Sequence, residues 1–163
     1  MNGNLFKKKI LNTIEQCATY YFLVKKDNSI KCTCVNHTTG QSDSSCKKCL
    51  GTGYKICIKK IRGACWEDVK GGETLSTKSS RLTRTYYFPP ETEMSENDYI
   101  IDQAEIYYIY RLSTLRGVGG YLTHKEVTTV LKTEDHNKIY NNFINLINKK
   151  LTPKQKEDFP WLI

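Results

Sequence analysis

The run ENDYIIDQAEIYYIYRLSTLRGVGGYLTHKEVTTVLK, residues 96–132, decides the fold class. Residues 99–101 read as a short strand, 102–104 as a tight turn, 105–115 as a long strand and 121–132 as its return. Ile106, Tyr108, Tyr110 and Leu112 alternate with Tyr107, Ile109 and Arg111, the period-two pattern of a half-buried strand. Gly117-Val118-Gly119-Gly120 then serves as a hairpin turn. It is no phosphate loop, because a strand follows it rather than a helix.

Working outward, RLTRTYYFPP at 81–90 reads as a strand stopped by Pro89-Pro90, so that 81–132 as a whole is expected to be a β-meander. TYYFLVKK at 19–26 reads as a further strand, with Asp27-Asn28-Ser29 as a turn. YKICIKKI at 54–61 alternates, placing Ile56 and Ile58 on one face and Cys57, Lys59 and Ile61 on the other, before Arg62-Gly63 breaks it. The polar stretch DVKGGETLSTKSS, 68–80, is expected to be an exposed loop.

Two helices flank the strands. Over 4–19, Leu5, Phe6, Ile10, Leu11, Ile14, Cys17 and Ala18 form one apolar stripe, suited to the domain's own core or to a neighbouring subunit. Over 135–150, Ile139, Tyr140, Phe143, Ile144, Leu146 and Ile147 do the same. Thr152-Pro153-Lys154-Gln155 carries an N-cap, a proline at N1 and a glutamine at N3, which starts one more short turn. The fold class is α+β, mainly β, and a chain of 163 residues fits one domain.

The formal charge of +8 is unevenly spread. Residues 1–90 hold 16 basic and 6 acidic side chains, against 9 and 11 in residues 91–163, so the basic face belongs to the first half. Lys7, Lys8, Lys9, Lys47, Lys48, Lys59, Lys60 and Arg62 are its candidate nucleic-acid- or partner-facing residues. Only 5 of the 25 bases are Arg, the residue whose planar fork reads guanine, so the field attracts without specificity. No apolar run approaches the roughly 18 residues of a membrane span. ILNTIEQ, which follows Lys7 to Lys9, is too polar for a signal-peptide core, so a reducing compartment is expected.

The sharpest signal is Cys32-Thr33-Cys34 followed by Cys46-Lys47-Lys48-Cys49-Leu50-Gly51-Thr52-Gly53. Cys32, Cys34, Cys46 and Cys49 offer four thiolates in two close pairs, enough to fill a tetrahedral Zn²⁺. With every position taken by protein, such a zinc is structural and closes an insertion, residues 30–54, too polar to fold by burial. The one-residue gap of the first pair departs from the commoner spacing. His37 in place of Cys32 or Cys34 is an alternative ligand, and free or redox thiols are a third reading. Cys17, Cys57 and Cys65 are expected to be small core residues, Trp66 and Trp161 packing or interface residues, and Glu91, Glu93, Glu96 and Asp98 a hydrated acidic loop. No nucleophile, Walker, zinc-protease or dinucleotide motif accompanies the three histidines, so the chain is read as not an enzyme.

The segment CTC–x11–CKKCLGTGYK resembles the zinc-knuckle insertion of tailed-bacteriophage neck proteins, the head-to-tail connector or head-closure proteins. TRTYYFPPETEMSENDYII and EIYYIYRLSTLRGVGGYLTHKEVTTV are similar to their aromatic strand, acidic turn and returning strand, so the likeness covers about residues 18–132. The CxxCxGTG element also occurs in DnaJ-type chaperones. The resemblance implies a small antiparallel β-barrel carrying the knuckle, with an N-terminal and a C-terminal helix. It also implies a structural virion protein at the head–tail junction, made in the host cytoplasm. Such a protein forms a ring with copies of itself and contacts portal, tail or other neck proteins, with non-specific contact to packaged DNA and no membrane. The competing reading is a zinc-ribbon nucleic-acid-binding phage protein.

Overall fold

A computed structural model describes residues 3–66, 83–117, 120–133 and 135–162. The expected loop at 68–80 lies outside the described residues. The elements are α1 (Gly3–Gln16), β1 (Thr19–Lys31), β2 (Tyr54–Trp66), β3 (Thr83–Phe88), β4 (Tyr99–Asp102), β5 (Glu105–Arg116), β6 (Leu122–Leu131), α2 (His136–Lys150) and α3 (Pro153–Lys156), with a last 3-10 turn at Pro160–Leu162. Among the described residues, six strands close an antiparallel barrel in the order β1-β2-β3-β6-β5-β4. The mainly β fold with flanking helices is therefore as expected.

Alternation along the strands sorts the core into two layers. Leu23, Ile100 and Tyr107 share one register line, and with Tyr21, Tyr86, Phe88, Ile109 and Val127 they fill the barrel interior. Their neighbours Phe22, Ile101 and Ile106 face outward. That outer face is covered by Ile139, Phe143 and Ile147 of α2 and by Phe159 and Leu162 beyond it. Phe22 stacks on Phe159 at 4.0 Å between centroids and meets Phe143 edge-on at 5.4 Å. These aromatics carry the largest apolar areas of the layer, which is why the short C-terminal turns stay docked. Helix α1 lies against β2 and β6; Ile14 is buried, while Leu5 at its start is exposed.

Several expectations change. The meander is β4-β5-β6; β3 does not begin it, because its six residues pair with β6 from Thr83↔Val130 to Phe88↔Lys125 and so close the ring. Helix α1 ends at Gln16 rather than residue 19, because Thr19 already pairs with Gly63. Asp27-Asn28-Ser29 does not end β1. The Asp27 carboxylate accepts from the Ser29 amide at 3.1 Å, and the extra residues form an irregularity in the pairing between Asp27↔Lys55 and Lys31↔Tyr54. Gly63 does not break β2, which runs on to Trp66. Its missing side chain makes room for the Phe88 ring.

The acidic stretch is not uniformly hydrated. Asp98 is buried and accepts from the backbone of Lys26 at 3.0 Å and of Ser95 at 2.8 Å, pinning the loop to β1. Cys17 and Cys57 are exposed rather than core, one because it follows the end of α1, the other because it lies on β2 well before Ala64–Trp66, where β3 pairs with it. Cys65 is half-buried against the interior cluster, as expected of a small core residue. Trp66 meets Tyr87 edge-on, and Trp161 packs on Phe22 and Phe159.

Candidate metal centre

The insertion leaves the barrel where β1 and β2 stop pairing. Lys31 faces Tyr54, and the next amide, of Cys32, donates to the Gly53 carbonyl at 2.8 Å, so both ends of the loop are clamped together. Within it, side chains replace the missing hydrophobic core. The Asn36 carboxamide oxygen accepts from the amides of Thr38 and Thr39 at 2.8 and 3.2 Å. The Asp43 carboxylate accepts from the Ser45 amide and hydroxyl at 2.8 and 2.7 Å. The Ser42 hydroxyl donates to the Gly51 carbonyl at 2.9 Å. These local bonds suit Asn, Asp and Ser, which satisfy turns without burial.

The second cysteine pair sits on a compact turn, with the Leu50 amide bonded to the Cys46 carbonyl at 3.0 Å and the Thr52 amide to that of Cys49 at 3.0 Å. Leu50, Gly51 and Gly53 all take positive φ, at 53°, 77° and 77°. At Gly51 a Cβ would stand 3.0 Å from the Ser44 carbonyl oxygen, so glycine serves both the dihedral and the close approach.

These turns bring the four sulfurs of Cys32, Cys34, Cys46 and Cys49 within 4.8 Å of one another. Cys32 Sγ lies 3.8 Å from Cys46 Sγ, and Cys34 Sγ lies 3.5 Å from Cys49 Sγ. Four sulfurs about 2.3 Å from one zinc sit about 3.8 Å apart at the corners of a tetrahedron. The donor set and its spacing therefore fit a tetrahedral metal with all positions filled by protein. His37 is exposed and stands outside the cluster.

The thiols are not equivalent. Burial pushes Cys49 up to about 12, against the amide of Gly53. Burial also raises Cys34. At Cys46 burial acts the same way, but the amides of Cys49 and Lys48 and the neighbouring thiols outweigh it and bring the group down to about 7. Backbone N–H groups aimed at the Cys46 sulfur are the partners a metal thiolate needs.

The basic residues are spread over three elements. Lys7, Lys8 and Lys9 lie on α1, Lys47 and Lys48 are exposed on the turn between two cysteines, and Lys59, Lys60 and Arg62 lie on β2. Those on β2 are engaged. Lys59 pairs with Glu93 at 3.1 Å, Lys60 with Asp158 and the face of Tyr20, and Arg62 with Glu15.

Two groups escaped the sequence reading. Leu50 is fully buried in the layer that α2 covers, and the Asn142 amide donates to the Ser45 carbonyl at 3.1 Å. An apolar residue directly after Cys49 in an otherwise polar loop was the available signal for the first; nothing marked the second. At the opposite side of the barrel wall, Arg84 bridges Asp102 at 2.9 Å and Glu105 at 3.1 Å, while the Tyr86 hydroxyl donates to Asp102 at 3.0 Å. No helix among the described residues is long and apolar enough to cross a membrane.

No protein-family model and no curated protein matches the chain. Among solved structures it is similar to the phage-like element PBSX protein xkdH from Bacillus subtilis. The identity is 12%, the match covers 71% of this chain and 94% of that one, and the TM-score is 0.39.

Proposed function

We propose that this chain is a structural subunit of a tailed-phage neck, a ring-forming head-to-tail connector held by one structural zinc. The observation that carries the proposal is the convergence of Cys32, Cys34, Cys46 and Cys49 within one CxC…CxxCxGTG insertion on a barrel wall. That motif resembles connector proteins in sequence, and the closed barrel with flanking helices is the fold the resemblance implies.

The four thiolates would hold zinc at net charge −2, which the adjacent Lys47 and Lys48 offset. The ion supplies rigidity and no open position for a substrate, so the role needs no catalysis. Partners in the proposal are copies of the chain, portal and tail or other neck proteins, with the virion's head–tail junction as its place. Exposed Tyr20, Trp66, Tyr110 and Tyr121 give the aromatic contacts that subunit interfaces favour.

A zinc-ribbon nucleic-acid-binding protein is the second reading, and Lys7, Lys8, Lys9, Lys47 and Lys48 favour it, because no ion pair among the described residues occupies them. The ion pairs on β2 weigh against it. Electron microscopy and sedimentation of the purified chain, alone and with portal rings, test the connector role; closed rings or portal-bound rings are expected. A monomer that ignores portal and binds DNA with an affinity falling steeply with salt would replace it with the second reading.

A further inference from the structure

The insertion touches more than itself. Leu50, directly after the ligand Cys49, is fully buried in one layer with Ile139, Phe143 and Ile147 of α2. Asn142, buried in the middle of α2, donates to the carbonyl of Ser45, the residue before Cys46. Asp135, at the start of α2, accepts from Ser44. Asp135 and Asn142 thus rest on Ser44 and Ser45, just before Cys46. Leu50, just after Cys49, packs into the layer that α2 covers, and Lys138 of α2 acts on the Asp43 carboxylate of the same loop.

These contacts exist only while the two cysteine turns hold their shape. The insertion has almost no apolar content of its own to keep that shape, so a metal would set it. The same helix and the turns after it cover the outward face of Phe22, Ile101 and Ile106.

We infer that metal occupancy of the four-cysteine site controls the docking of the C-terminal segment, residues 135–162, on the barrel. The inference rests on the reading that the thiols hold a metal. Metal binding fixes the turns at Ser44–Cys46 and Cys49–Leu50; these present the Ser45 carbonyl and the Leu50 side chain; α2 docks on them and seals the outer layer. Linkage makes the effect reciprocal, so a contact on α2 raises metal affinity by the factor that the metal raises docking.

The test uses the full chain under reducing conditions, loaded with Zn²⁺ or stripped with a chelator. Amide hydrogen exchange over 136–150 is expected to speed by roughly tenfold or more on stripping, while β3, β5 and β6 keep their protection. In a Trp66→Phe background, the emission of Trp161, packed at 6.0 Å from Phe22 and 5.8 Å from Phe159, is expected to shift to the red together with it. Asn142→Ala, which touches no ligand, is expected to lower zinc affinity roughly fivefold in competition with a chelating dye. Asn141→Ala, at the exposed neighbour, is expected to leave it unchanged. A chain that takes up one zinc, yet shows the same α2 exchange with and without it and the same affinity in Asn142→Ala, overturns the inference and leaves the metal site standing. A chain that takes up no zinc at all overturns both.

Discussion

Gly63 and Phe88 share one space: a Cβ built on Gly63 would stand 2.3 Å from Cδ1 of the Phe88 ring and 2.7 Å from the Tyr87 carbonyl oxygen. Among the described residues β2 and β3 pair from Ala64↔Tyr87 to Trp66↔Thr85, so this contact lies at the edge of that seam. Gly63→Ala is expected to cost about 1–3 kcal/mol, the usual range for overpacking a filled core. Urea unfolding measures it. Adding Phe88→Leu should recover part of the loss, and a neutral Gly63→Ala would mean that the seam yields.

Cys46→Ser removes a thiol whose ionised form the amides of Cys49 and Lys48 favour. Zinc content by elemental analysis is expected to fall from one equivalent to near zero. Exchange protection is expected to drop over 30–54, while β4, β5 and β6 hold. One retained equivalent of metal would mean that the ligand set is wrong.

Asp98 gives a pH signature. Burial raises its carboxyl above the usual range, against the amides of Lys26 and Ser95 and the ammonium groups of Lys25 and Lys26. The folded chain therefore keeps this proton to higher pH than the unfolded chain does, and ionisation of Asp98 subtracts stability as pH rises from about 4 through the raised value. Asp98→Asn has no such ionisation. Relative to the parent, it is expected to gain stability across that window, as read from denaturant midpoints at a series of pH values. A gap that stays constant with pH would contradict the sign.

Arg84 is the fork that holds Asp102 and Glu105, and it lies 4.8 Å over the Tyr107 ring. Breaking a buried ion pair costs about 3–5 kcal/mol when both partners are enclosed. Glu105 is partly exposed, so about 2 kcal/mol is expected for Arg84→Ala. Arg84→Lys should not restore it, because an ammonium cannot bridge both carboxylates in one plane. Thermal unfolding of the three proteins decides this.

The strands were legible because their burial alternates: Ile106 and Tyr108 face one side and Tyr107 and Ile109 the other. The alternation holds until the pairing with β6 shifts between Ile109 and Arg111, which brings Leu112 to the side of Tyr107 rather than the expected side of Ile106. The four cysteines were legible from spacing alone. What local patterns could not carry was anything set by a distant neighbour. Asp27-Ser29 has turn chemistry, yet the β2 strand beside it keeps the pairing going through an irregularity. Gly63 looks like a breaker until Phe88 occupies its side-chain volume. Asp98 looks solvated until the Lys26 amide reaches it from another strand. The place of β3 between β2 and β6 depends on which edges remain open when the ring closes, and no window of sequence contains that.

Because Lys31 stands opposite Tyr54 and the chain between them supplies no stave to the barrel, the cysteine-bearing excursion behaves as a graft on a complete chassis. Residues 32–53 can lengthen, shrink or trade ligands over evolutionary time without re-registering any strand pair. The constraint on such drift falls on the far side, where Leu50 and Ser45 must keep offering a seat to the last helix.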